Sequence, residues 1–181
     1  MRKCELYLYL LFAFTSVAVA ADDTHNQKVH PVAVLKAYGR FSAAIDGHTP
    51  ADTIFKDIDK ISTIRLVART NEVPCIIGER FGVLFDIRGL PMAEGRESLK
   101  VVWRYPKMKS SEGRVSRFNE FSWPIAITNG VANNIYLDWG LENSFELVSG
   151  QWVIEVYCRD TKLLKQAFAV VGCAPKSIIR P

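Results

Sequence analysis

Apolar and polar residues alternate at period two in one segment of this chain after another, and no long segment has the period of an amphipathic helix. The clearest case is FGVLFDIR, residues 81–88, in which four large apolar residues fall on one face. Successive side chains of a β-strand point to opposite faces of the sheet, so this alternation predicts a strand with one buried face.

The same pattern predicts further strands, separated by turn signals such as Asn129-Gly130. Pro124 restricts one strand to a sheet edge or a bulge. The expected fold is all-β: an immunoglobulin-like antiparallel β-sandwich of about seven to eight strands, with a closed barrel as the alternative. The predicted one-sided rows are Leu35, Ala37, Gly39 and Phe41; Ile64, Leu66 and Ala68; Leu99, Val101, Trp103 and Tyr105; Phe121, Trp123, Ile125 and Ile127; Ile135, Leu137, Trp139 and Leu141; Trp152, Ile154, Val156 and Cys158; and Leu164, Phe168 and Val170.

The stretch SGQWVIEVYCRD, residues 149–160, predicts the first arm of the hairpin that closes the domain. Residues that face each other across an antiparallel ladder lie on the same side of the sheet. Pairing Cys158 with Leu164 places Val170 beside Trp152 and gives one continuous apolar row. We therefore expect this register.

The first 20 residues have the pattern of a secretory signal peptide, with Arg2 and Lys3 ahead of an apolar run that ends in Ala18-Val19-Ala20. The run from Leu6 to Ala21 is 16 residues long, short of the roughly 20 needed to span a bilayer. We expect cleavage after Ala20, export to the periplasm or the extracellular space, and no membrane span after cleavage. The remaining chain is divided into a flexible lead-in over residues 21–31, one domain over 32–173 and a tail over 174–181.

The charge of the chain gives little support to nucleic-acid binding. Its net charge of +4 includes +1 from the signal peptide, which leaves +3. The most basic stretch is PKMKSSEGRVSR, residues 106–117, which we interpret as a solvated hairpin loop rather than a nucleic-acid contact.

Three cysteines remain after the signal peptide: Cys75, Cys158 and Cys173. An exported protein favours disulfides, but three thiols allow at most one bridge within the chain. The predicted hairpin holds Cys158 and Cys173 far apart, so we expect any bridge to join Cys75 to one of these two. The apolar neighbours of Cys158 on its face favour a buried, unreactive thiol.

The sequence lacks the motifs on which common catalytic sites are built. It has no Gly-x-Ser-x-Gly, and no cysteine–histidine spacing suited to zinc. The three histidines, His25, His30 and His48, lie near the mature start. We expect no catalytic residue, no metal and no cofactor, and a protein that is not an enzyme; a thiol-dependent enzyme using Cys75 or Cys158 is kept as an alternative.

Three aromatic residues, Trp123, Tyr136 and Trp139, lie in the least regular third of the chain. Exposed aromatic side chains on a β-sandwich can form contact surfaces for sugars or peptides. These residues therefore suggest a carbohydrate- or peptide-binding surface; the alternative is that they fill the core or cover a sheet edge.

Motifs along nearly the whole mature chain resemble those of an exported bacterial family known as domain of unknown function 3859. The resemblance covers about Val34–Val171 and implies a periplasmic or secreted β-sandwich with no assigned catalytic residue. The segments that carry it are Ala37-Tyr38-Gly39, Arg69-Thr70, Val73-Pro74, Gly78, Phe81-Gly82-Val83, Ser149-Gly150-Gln151-Trp152, Leu164, Gln166, Phe168 and Val170.

The function that these observations favour is a non-enzymatic module, binding or structural, in the cell envelope. Its expected partner is a protein or a glycan of the envelope, and not a nucleic acid.

Overall fold

The computed structural model describes residues 30–50, 57–91 and 93–173. The predicted signal peptide, most of the predicted lead-in and the predicted tail lie outside this range. No helix in the described part of the chain is long and apolar enough to cross a bilayer. The elements in order are β1 Val32–Pro50, β2 Asp57–Ala68, β3 Glu72–Pro74, β4 Arg80–Arg88, β5 Glu94–Lys109, β6 Val115–Thr128, β7 Ala132–Gly140, a 3₁₀ turn at Ser144–Glu146, β8 Gly150–Cys158 and β9 Thr161–Val171.

The strands form two sheets packed face to face. The first sheet has the order β2-β1-β4-β7, and the second has the order β3-β9-β8-β5-β6. Every neighbouring pair is antiparallel except β3 and β9. The predicted all-β sandwich is confirmed.

The core lies between the sheets and is rich in aromatic rings. All four apolar residues of the β4 row, beginning with Phe81, are fully buried, as the alternation predicts. The Phe81 ring packs against Trp103, Trp152 and Phe168 of the second sheet, with ring centroids 5.7, 5.8 and 5.1 Å away. These edge-to-face contacts join the two sheets.

The predicted register of the β8–β9 hairpin is wrong by two residues at Trp152 and by three at Cys158, although the face assigned to each strand is right. In the structure Trp152 pairs with Phe168 and Cys158 with Thr161. The turn is tighter than expected: only Arg159 and Asp160 lie between the strands, and Arg159 adopts a left-handed φ of 53°. Two-residue hairpin loops require such positive φ values. A bulge between the Val156–Leu164 and Tyr157–Lys162 pairs, where β9 has one extra residue, adds the further residue of shift at Cys158.

The short strand β3 is absent from the sequence prediction, which treated residues 71–74 as an interruption before Pro74. Val73 is fully buried, and β3 pairs in parallel with the end of β9. Pro74 is the last residue of this strand, and the next amide, that of Cys75, donates to the Val171 carbonyl at 2.8 Å. A proline at a strand end is tolerated because the ladder does not need its missing donor.

A disulfide joins Cys75 to Cys173, with their Cα atoms 4.7 Å apart. Sequence analysis left open whether Cys75 would pair with Cys158 or Cys173. The bridge ties the residue after β3 to the residues after β9 and closes a sequence separation of 98 residues. The parallel edge of the second sheet is thus held covalently.

A bulge at Lys36 in β1 changes which residues face outward. Leu35 pairs with Phe85, but the next pair is Ala37 with Leu84. Ala37 and Phe41 therefore lie on the outer face of the first sheet, where both are nevertheless buried. Their burial reflects packing on that face, including a ring contact between Phe41 and Tyr136 at 5.1 Å.

Candidate functional site

The structure does not bring the three predicted contact residues together. Trp139 points into the core, is only 7% exposed, and packs against Trp103 at 5.6 Å. Tyr136 lies on the outer face of the first sheet, against Phe41. Trp123 lies on edge strand β6, half-buried beside Phe121. A single aromatic surface made by Trp123, Tyr136 and Trp139 is therefore not formed.

Trp139 has a structural partner that explains its position. Its indole Nε1 donates to the Glu146 carboxylate at 3.1 Å, and Glu146 also accepts from the backbone amide of Glu142 at 2.9 Å. The Asn143 amide side chain donates to the same carboxylate at 2.9 Å. Burial raises the pKa of Glu146, and these donors act against that effect. The carboxylate fixes the loop before β8 to the core.

Tyr136 is held in a comparable structural setting. Burial is the main reason why its phenol pKa is raised, and the neighbouring Asp138 carboxylate adds to the effect. Asp138 is itself paired with Arg80, whose Nε donates at 2.6 Å. The phenol thus belongs to a packed, charged group on the first sheet.

Cys158 is a free, buried thiol at the end of β8. It is 3% exposed, and burial raises its pKa above the ordinary value. A protonated thiol is a poor nucleophile, because the thiolate is the reactive form. The other thiol proposed for catalysis, Cys75, is consumed by the disulfide.

We expect Cys158 to resist thiol reagents until the protein unfolds. A chain starting at Ala21 should show no titratable thiol in native buffer and one thiol per chain in denaturant without reductant. Absorbance titration with a disulfide reagent measures both numbers. Rapid labelling of Cys158 in native buffer would show that its environment is open to water.

The outer face of the second sheet carries a different kind of cluster, which we call the cationic ring: Lys100, Arg104, Lys162 and Lys165 around Glu155. The register of the strands builds it. Glu155 of β8 faces Lys165 of β9 on one side and Val102 of β5 on the other. On β5, Lys100 lies two residues before Val102 and Arg104 lies two residues after it. Lys162 of β9 pairs with Tyr157, which lies two residues after Glu155 on β8.

Glu155 is the fixed centre of the ring. Its side chain is 6% exposed, and it accepts from Lys162 Nζ at 2.6 Å and from Arg104 Nε at 3.2 Å. The Tyr157 hydroxyl donates to the same carboxylate at 3.2 Å. A buried carboxylate is tolerated when such charge-assisted hydrogen bonds satisfy it.

Tyr157 also orients two of the cations. The Lys100 ammonium lies 4.7 Å from the centre of its ring, and the Lys162 ammonium lies 5.3 Å from the same point. Cation–π contacts of this length favour the ordered positions of both ammonium groups. The side chains of Arg104 and Lys162 remain 59% and 44% exposed, so their unused donors face solvent.

Glu155 should give the protein a distinct dependence of stability on pH. The hydrogen bond from Lys162 is the largest cause of its lowered pKa, which falls to about 2 from an ordinary value of 4.5. A carboxylate with a lowered folded-state pKa stabilises the fold above the unfolded-state pKa, and this contribution is lost as pH falls toward the folded-state value. Between pH 4.5 and 2 the wild type should therefore lose more stability than Glu155→Gln.

Urea unfolding of both proteins at pH 5 and pH 2.5 measures this difference. Asp86 also has a lowered pKa, mainly through the backbone amide of Asn134, and it contributes equally to both proteins. Equal losses in wild type and Glu155→Gln would contradict the assigned role of the ring's centre.

The charges of the ring are suited to holding an anion. Glu120 of β6 also lies on this face, because it pairs with Val102. Four cations thus accompany two carboxylates, an excess of two positive charges. Among the described residues, no group of three or more metal-ligating side chains forms a cluster that could bind a metal. The arrangement is suited to binding through charge-assisted hydrogen bonds.

Sequence analysis missed the cationic ring, although its signal was present. Lys100, Arg104, Glu155 and Lys165 each occupy the polar side of an alternating strand. The pattern shows which face each residue takes, but not which strands are neighbours. Only the strand order β9-β8-β5 places these polar rows side by side.

The fold and this site define a class: an all-β, two-sheet domain that presents a charged sheet face. The chain belongs to the family described as Domain of unknown function (DUF3859), whose model matches residues 30–170. The resemblance noted from the sequence is thereby confirmed. No curated protein sequence matches the chain.

Solved structures show the same architecture. An immunoglobulin-like protein (PA1606) from Pseudomonas aeruginosa aligns with a TM-score of 0.55 at 18% identity, over 80% of this chain and 99% of that one. This similarity shows the fold and confirms that the sandwich is immunoglobulin-like. The Pseudomonas fluorescens alkylpurine DNA glycosylase AlkC, bound to DNA containing an abasic site analog, aligns with a TM-score of 0.40 at 15% identity, over 56% of this chain and 28% of that one. The second likeness is too low to bear on fold or function.

Proposed function

We propose that this protein is a non-enzymatic binding module, exported to the periplasm or the extracellular space, that holds an acidic polysaccharide on its cationic ring. Export is supported by the signal-peptide pattern of residues 1–20. The ring carries the rest of the proposal, because one buried carboxylate is surrounded by more positive charge than it needs.

The form of the ring favours a charged polymer over a peptide strand. It lies on β9, β8 and β5, and β8 is paired on both sides. The backbone donors and acceptors of this face are used in the sheet, so an added peptide strand has no edge to pair with here. Recognition must come from lysine and arginine side chains, which suit the carboxylates of a polymer lying across the face.

The direct test compares two double variants of equal charge. Lys100→Gln/Lys165→Gln removes two ring cations that do not donate to Glu155, and Arg65→Gln/Arg88→Gln removes two exposed cations of the other sheet. Calorimetric titration with polygalacturonate at low salt should show weaker binding only for the ring variant. Each lost charge-assisted contact costs about 1.5 kcal/mol, or about tenfold in Kd.

Three controls accompany this comparison. Dextran, a neutral polymer, should not bind, and wild-type binding should weaken as salt rises. Trp123→Ala should bind as the wild type does, which separates this proposal from a sugar surface built on that aromatic residue. Equal losses in both double variants, or no binding by the wild type, would refute the cationic ring as the site.

A further inference from the structure

The β5–β6 hairpin extends beyond the sandwich. β5 pairs with β8 only from Leu99 to Arg104, whereas its pairing with β6 continues to Lys109 and Val115. The base of the hairpin is anchored, because Met108 is 1% exposed and belongs to the core. The tip is closed by Ser110, whose amide donates to the Arg114 carbonyl at 2.8 Å.

This tip concentrates positive charge. Residues 105–118 contain four cations and one acid, a net charge of +3, against +4 for the entire chain. Glu112 lies 3.4 Å from Arg114, and both side chains are about half exposed. The four cations, all exposed, are Lys107, Lys109, Arg114 and Arg117.

Two large apolar side chains project among these cations. Val115 is 53% exposed and Phe118 is 55% exposed. Single exposed apolar residues are ordinary on protein surfaces, but two of them within four residues, surrounded by cations, combine two distinct kinds of contact. A soluble polyanion would use only the charges, whereas the surface of an anionic bilayer would use both.

We propose that the tip of this hairpin docks on the surface of an anionic lipid bilayer. Val115 and Phe118 enter the interfacial region, and the four cations lie against lipid phosphates. The hairpin tip adjoins the cationic ring, because Phe118 pairs with Arg104. The remaining residues of this surface lie closer to the tip, beyond the ring. The bilayer is contacted from one side and is not spanned.

Vesicle flotation tests the proposal with the chain from Ala21 onward, which contains every described residue and lacks the apolar leader. The vesicles contain either phosphatidylcholine alone or three parts phosphatidylglycerol to seven parts phosphatidylcholine. Wild type should float with the anionic vesicles only. Each cation near such a surface contributes about fivefold, so Lys107→Gln/Lys109→Gln should lower the partition coefficient roughly 30-fold.

The apolar part of the contact needs its own variant and a matched control. Val115→Ser/Phe118→Ser should reduce partitioning while leaving the charge unchanged. Val32→Ser alters a side chain of similar exposure, 58%, at the opposite end of the sandwich and should have no effect. Thermal melts of all variants check that the fold is retained.

Three results would overturn the inference. The first is the absence of wild-type flotation with anionic vesicles. The second is loss of flotation in Lys100→Gln/Lys165→Gln with no loss in the hairpin variants, which would assign the lipid contact to the ring. The third is a hairpin that binds a DNA duplex but not vesicles. Since the ring is tested with a soluble polysaccharide, either proposal can fail without the other.

Discussion

Removal of the Cys75–Cys173 disulfide should lower the free energy of unfolding by about 4 kcal/mol. The bridge spans a sequence separation of 98 residues, and a cross-link over so long a loop strongly restricts the unfolded chain. It also holds β3 beside β9. β3 has only three residues, and few other contacts fix its position. Urea unfolding of Cys75→Ala/Cys173→Ala against wild type measures the loss.

The matched control for this change is Cys158→Ala, which removes a sulfur from a buried but unbridged position. It should cost about 1 kcal/mol, since only a small side chain is shortened in the core. A disulfide variant no less stable than Cys158→Ala would mean that β3 is held by packing alone.

Trp152→Ala should cost about 3 to 5 kcal/mol of unfolding free energy, the range for a large aromatic residue removed from a core. Trp152 is fully buried, and its ring centroid lies 5.2 Å from that of Trp139 and 5.3 Å from that of Tyr105. Its indole also donates to the Val148 carbonyl at 3.2 Å, which anchors the chain entering β8. The truncation would leave a cavity at the centre of the aromatic core.

Trp123→Ala provides the comparison for the same substitution at a sheet edge. Trp123 is half-buried on β6, so its truncation removes less buried apolar surface than the truncation of Trp152 does. It should cost about 1 to 2 kcal/mol of unfolding free energy. Chemical denaturation of both variants gives the ranking. A larger loss for Trp123→Ala than for Trp152→Ala would contradict the placement of the core.

The burial of the strands could be predicted from the sequence because period two is a local property. The row that begins with Phe81 is buried as expected, and so are the two rows that contain Trp103 and Trp152. Pro124 does lie on an edge strand, as its missing donor requires. Local alternation does not depend on which strand lies next to which.

Features that depend on two or more separate segments could not be predicted. The predicted hairpin register was wrong because the turn has two residues and β9 contains a bulge, neither of which the apolar row reveals. The hydrogen bond of Trp139 could not be predicted because its partner, Glu146, comes from a 3₁₀ turn. The cationic ring required the order of three strands, and the parallel strand β3 required the position of β9.

The cationic ring is the proposed binding face of the protein. Its most direct test is an NMR titration of the isotope-labelled chain from Ala21 onward with short oligogalacturonates. Signals of Lys100, Arg104, Tyr157, Lys162 and Lys165 should shift together and saturate, and the shifts should vanish in Lys100→Gln/Lys165→Gln. Shifts centred on Trp123 or Tyr136, or no saturable shifts at all, would contradict the account.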